Sequence, residues 1–279
     1  MPPKKEKSVS EKYQMLSHLE HIKKLPDTYI GSISKLLSQR FIFNDESGKM
    51  EVRDVSIVPG LYKIFDEILV NAVDEATRSF GTDNPVNKIS VSIDQESGEI
   101  SISNNGGGID VAIHEEHKIY IPEMIFGNLL TSANYDMDED KTTGGKNGYG
   151  AKLTNIYSKK FSIEIMDSSR GILYSQTWTD NMSIKSTPVI KKQKRASSWV
   201  IVSFIPDFKM FNMDNLTDDM NIVMKKRVYD ICACTPKNVS VHLNGKKLDV
   251  KSFEKYVDLY LGSNRTEHPR AHDETDRWE

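Results

Sequence analysis

The run Thr143-Gly-Gly-Lys-Asn-Gly-Tyr-Gly-Ala-Lys152 places four glycines within seven positions, with Lys146 inside the run and Lys152 closing it. A backbone this rich in glycine can turn successive N–H groups toward an anion, because no Cβ obstructs the approach. The stretch Leu153 to Tyr157 reads as a helix, whose N-terminal dipole adds to that attraction. The segment is therefore suited to wrap a polyphosphate. A Walker A loop is excluded: Ala151 follows Gly150, Lys152 arrives one residue late, and Leu153 stands where a hydroxyl belongs. A Rossmann turn is excluded as well, because the glycines follow the polar run Asp136 to Lys141 rather than a strand.

A second segment, Gly60 through Phe80 after Pro59, has helical periodicity, and proline suits a first helical position. Leu61, Phe65, Ile68, Leu69, Ala72 and Ala76 share one face at roughly 100° per residue. Glu67, Asn71, Asp74 and Arg78 share the other. Asn is a mediocre helix former, so Asn71 one turn after Glu67 is notable: a carboxylate and an amide oxygen side by side can align a water and coordinate Mg²⁺. A third segment, Glu99 to Asp110, alternates as a strand and runs through Asn104 and Asn105 into Gly106-Gly-Gly108. Taken alone, it also fits a hairpin turn.

In this order and spacing, Glu67-x-x-x-Asn71, Asn104-Asn-Gly-Gly-Gly108 and Gly144 to Lys152 resemble the GHKL ATPase superfamily. Longer strings narrow the resemblance. Gln14 to Ser32, Val58 to Ala72, Ile125-Phe-Gly-Asn-Leu-Leu-Thr-Ser-Ala-Asn-Tyr135 and Gly144 to Asn155 are similar to the N-terminal ATPase domain of eukaryotic-type DNA topoisomerase II. A chaperone or mismatch-repair clamp would share the three nucleotide motifs but not the first and third of these strings. A histidine kinase would need a phosphoacceptor histidine on a dimerising helix, and the sequence around His18 and His21 reads otherwise.

The resemblance implies an α+β fold, the GHKL (Bergerat) sandwich, with a mixed β-sheet carrying helices on one face. It implies ATP and Mg²⁺ as cofactors, with Glu67 as general base and Asn71 as metal ligand. Arg78 would approach the ribose or phosphates, Asn104 the adenine, Phe126 the base pocket, and Ser132 and Asn134 the ribose and phosphates. Gly145, Lys146, Asn147, Gly148, Tyr149, Gly150, Ala151 and Lys152 would form the lid, with Lys152 on the phosphates and Tyr149 closing over them. Ser203 would lie near adenine, and Tyr13 on the N-terminal arm would touch a partner's nucleotide. The implied partners are a second copy, joined through an ATP-dependent gate, and the DNA duplex that the gate captures in the full enzyme. The implied setting is the nucleus or a virus-infected cell.

Two positions depart from the family's pattern. Ala133 stands where a second serine is usual, removing a hydrogen bond worth about 1 kcal/mol. Glu75 replaces the common Asn and adds negative charge near the triphosphate. The family's Gln-Thr-Lys catalytic lysine belongs to a following transducer domain and would lie beyond Glu279, leaving open a nucleotide-dependent dimerisation module with negligible turnover.

The remaining sequence is read as a basic arm without fixed structure over 1–10, an ATPase domain over 11–261, and a linker with the start of the transducer over 262–279. Of the 279 residues 38% are apolar, enough for one substantial core, and no apolar run approaches a membrane span. The net charge of −3 is not that of a bulk DNA-binding module, so any DNA contact must be local; Lys191 to Arg195 and Lys225-Lys-Arg227 are the candidates. Cys232 and Cys234 have no second pair to form a zinc site, and the histidine pairs 18/21 and 114/117 lack companion ligands.

Overall fold

The structure, a computed structural model, describes residues 16–129, 149–195, 197–271 and 273. After short helices α1 (His18–Lys24) and α2 (Pro26–Tyr29), the chain forms a two-stranded antiparallel hairpin of β1 (Leu36–Asn44) and β2 (Lys49–Ile57). Helix α3 (Pro59–Arg78) follows, then β3 (Lys88–Ile93), β4 (Ile100–Gly106), α4 (Ile121–Gly127) and α5 (Gly150–Ile156). Next come β5 (Ser158–Asp167), β6 (Ile172–Thr179), β7 (Ile184–Lys185), β8 (Val189–Lys192) and β9 (Ser198–Pro206). The last described elements are α6 (Asp218–Cys234), β10 (Ser240–Leu243), β11 (Lys246–Lys247) and α7 (Phe253–Leu261).

Strands β3 to β11 form one sheet in the order β11-β10-β3-β4-β9-β5-β6-β7, with β8 also on β6. The β10–β3 pairing is parallel and the others antiparallel, so the sheet is mixed. Ile100, Ile102 and Asn104 of β4 alternate with half-exposed Ser101, Ser103 and Asn105, and β9 repeats the pattern. The buried phase packs under α3 and α5, which gives the α+β sandwich expected from the sequence.

Helix α3 forms where periodicity predicted it. Pro59 occupies its first turn, and Leu61, Ile64, Phe65, Ile68, Leu69, Ala72 and Ala76 are its buried face. Gly60 is dictated by packing: its N–H donates to the Ser32 carbonyl at 2.8 Å, and a Cβ there would meet Ile30 at 3.0 Å. The Pro26-to-Gly31 string is thereby fastened to the start of α3. The turn Asn244-Gly245 joins β10 to β11 with φ of 47° and 80°, as an Asn-Gly hairpin requires.

Lys49–Ile57 is a strand in which Glu51 to Asp54 are all exposed, so its sequence shows no clear alternation. The Lys191–Arg195 run starts within edge strand β8 and continues past its end. The residues 1–10 and the lid segment up to Gly148 lie outside the described residues.

Candidate active site

The site is assembled on the polar side of α3. Lys63 forms an ion pair with Oε1 of Glu67 one turn later, and the Glu67 side chain is only 20% exposed. Gly150, the first residue of α5, lies against the same carboxylate, so closely that a Cβ added there would collide with Oε2 of Glu67. The last glycine of the Gly-rich run is therefore a glycine because the general-base candidate occupies the space of its side chain. Thr154 fastens this approach: its hydroxyl donates to the Ile64 carbonyl of α3 at 2.8 Å.

Lys152 is 1% exposed, and burial lowers its ammonium pKa to about 8. Asn71 is exposed one turn beyond Glu67. Arg78 is exposed and ion-paired to Glu75, so the unexpected Glu75 has a partner on its own helix. Tyr149 meets the ring of His18 edge-on at 5.9 Å. Asn104 is 9% exposed on the helix-covered face of β4, and its Nδ2 donates to the Asn105 carbonyl at 3.1 Å. Asn105 is structural, accepting from the N–H groups of Asn87 and Lys88 at 3.0 and 2.9 Å. The turn after Asn104 is anchored by Asp167, which accepts from the Val111 N–H at 3.0 Å and from the Arg170 guanidinium at 2.9 Å.

Glu67 and Gly150 come together; Ala151 and the buried Lys152 follow Gly150 on α5, and Asn71 follows Glu67 on the same helix face. One expectation is corrected. Ser203 lies on the sheet face opposite Asn104: its register partner is Ser101, to whose Oγ it donates at 2.8 Å. The residue beside Asn104 on β9 is Val200, because a shift of three positions reverses the face. Phe126 is 5% exposed and packs beside Phe161, with ring centroids 6.1 Å apart. Tyr13, Ser132, Asn134, Gly145, Lys146, Asn147 and Gly148 lie outside the described residues.

Sequence reasoning missed Lys63, His18, Val200 and Asp167. The Lys63-x-x-x-Glu67 spacing is a helix-pair signal that could have revealed the first; the other three depend on contacts distant in sequence.

A Mg²⁺ nucleotide fits this donor set. Among the described residues no three His, Cys, Asp or Glu side chains converge on a metal position. A hard cation that takes one protein oxygen and completes its shell with phosphates and water needs no such cage.

The fold and the Glu67–Gly150 junction define a class, and comparison with known proteins agrees. Residues 57–184 match the family described as histidine kinase-, DNA gyrase B- and HSP90-like ATPase, and the chain belongs to it. Within that class the chain is similar along its length to the ATPase region of DNA topoisomerase 2. DNA topoisomerase 2 of Arabidopsis thaliana is 51% identical over 98% of this chain and 18% of its own length. That of Acanthamoeba polyphaga mimivirus is 47% identical over 99% of this chain and 22% of its own. The chain thus spans about a fifth of these relatives. The crystal structure of the ATPase region of Saccharomyces cerevisiae topoisomerase II superposes with a TM-score of 0.87 at 49% identity, covering 92% of this chain and 66% of that one.

Proposed function

We propose that this chain binds Mg·ATP between α3 and the Gly144–Lys152 run, and that closing the run over the triphosphate joins two copies into a gate that captures a DNA duplex. The observation that supports the reading is the contact of Gly150, the last glycine of the run, with the carboxylate of Glu67, the proposed base. Lys63 holds one oxygen of Glu67, leaving the carboxylate oriented to accept a proton from a water attacking the γ-phosphate. Asn71 would hold Mg²⁺, which supplies charge neutralisation of the phosphates. Lys152 is buried, which lowers its ammonium pKa to about 8, and the triphosphate would favour its charged form. Asn104, at the mouth of the Gly106–Gly108 turn, offers its amide to the adenine edge.

We also read residues 11–261 as the ATPase domain and 262–279 as the lead into a transducer, with strand passage belonging to the longer protein and the nucleus or a virus-infected cell as its setting.

The test is light scattering of the 279-residue chain with Mg²⁺ and a non-hydrolysable ATP analogue, against a nucleotide-free control. A shift from monomer to dimer supports the gate. Analogue binding without dimerisation restricts the chain to a nucleotide half-site, and no analogue binding refutes the reading.

A further inference from the structure

We propose that the rim of the sheet formed by β8 and the turn after it is a binding surface for the phosphate backbone of duplex DNA, contacted without regard to sequence. Lys191, Lys192, Lys194 and Arg195 place four cations in five positions, and all four are exposed. Several other cations are neutralised within the fold: Arg170 pairs with Asp110 and Asp167, Lys185 with Glu123, Lys226 with Asp230, and Arg227 with Asp66. The second basic triplet seen in the sequence is thereby largely absorbed into the fold. Among the described residues, none of the four rim cations forms an ion pair with a carboxylate. In a chain whose net charge is −3, this is a local excess of positive charge.

The topology presents that excess. Strands β7 and β8 both pair with β6 on the side away from β5, so they form the outer edge of the sheet. Lys191 lies opposite Leu173 and Lys192 opposite Ile172, so consecutive lysines straddle the rim on opposite faces. Lys194 and Arg195 continue past the strand end. At roughly 3.3 Å per residue, positions 191 to 195 extend about 13 Å, along which one DNA strand presents about four phosphates. The run carries no acidic residue that would repel them.

Lysines on an edge strand also protect it from pairing with other edges, and that role alone predicts no affinity for DNA. The proposal takes the duplex from the proposed function as its partner, but its readout is independent of the nucleotide site. Fluorescence anisotropy of a labelled 20-base-pair duplex is measured with the full chain from 50 to 200 mM NaCl. The expected result is salt-dependent binding whose log–log slope becomes shallower by about 3 to 4 when all four cations are replaced by glutamine, at ~0.9 per phosphate contact. The pairs Lys191→Gln with Lys192→Gln, and Lys194→Gln with Arg195→Gln, should each remove about half of that slope, so the test survives if the fourfold variant aggregates. Replacing the three lysines by arginine should retain binding, and a fluorescent ATP analogue should bind every variant as it binds the parent chain. An unchanged slope in the glutamine variants, no duplex binding at 50 mM NaCl, or binding to anionic lipid vesicles in place of DNA would overturn the proposal. Failure of analogue binding alone would refute the nucleotide reading and leave this one standing.

Discussion

Replacing Asp167 by asparagine should loosen the turn that follows Asn104, and the size of the effect can be worked from the site. Asp167 is 4% exposed. It accepts hydrogen bonds from Ser169 Oγ at 2.6 Å, from the N–H groups of Val111 and Arg170, each at 3.0 Å, and from the Arg170 guanidinium at 2.9 Å. Burial opposes ionisation, but these donors outweigh it and lower the pKa from 3.8 to about 2. Because the folded value is depressed, the stabilisation is fully present above the unfolded value and is lost as pH falls toward about 2. Holding the carboxyl that far below its ordinary value corresponds to roughly 2 kcal/mol at pH 7. Urea unfolding of parent and Asp167→Asn chains should show a gap of that order at pH 7, shrinking by about half at pH 3. A gap under ~0.5 kcal/mol, or one that does not narrow on acidification, would refute the claim that an ionised Asp167 holds the turn.

Glu67→Gln should abolish ATP hydrolysis while retaining analogue binding; turnover equal to the parent's would remove the assigned base. Lys152→Ala should weaken analogue binding itself. Because burial depresses Lys152 to about 8, the folded state carries a penalty below that pH that is relieved as pH rises toward the ordinary 10.5. Bound phosphate favours the charged form, so affinity in a titration should fall as pH rises through about 8 in the parent chain and not in Lys152→Ala. Gly127→Ala would put a Cβ 2.7 Å from the Trp178 ring, which is 1% exposed, and should cost about 1–3 kcal/mol in a denaturant melt.

The sequence by itself determined the local chemistry. Pro59 and the 3.6-residue spacing of Leu61, Phe65, Ile68 and Ala72 define α3, and they put Glu67 and Asn71 on one polar face without reference to any other segment. The glycines of 144–150 and the alternation of β4 were legible for the same reason, since each depends on backbone freedom or strand period alone. Tertiary structure decided which groups meet. Only the packing of α5 on α3 brings Gly150 against Glu67, through a hydrogen bond between residues 90 positions apart. Only the register of β4 against β9 sets Val200 beside Asn104 and turns Ser203 to the other face; a strand's own sequence carries its period but not its partner's phase. Burial was decided in the same way: Phe126 and Lys152 are 5% and 1% exposed because neighbouring elements cover them, and that depends on what packs against a segment, not on its own residues.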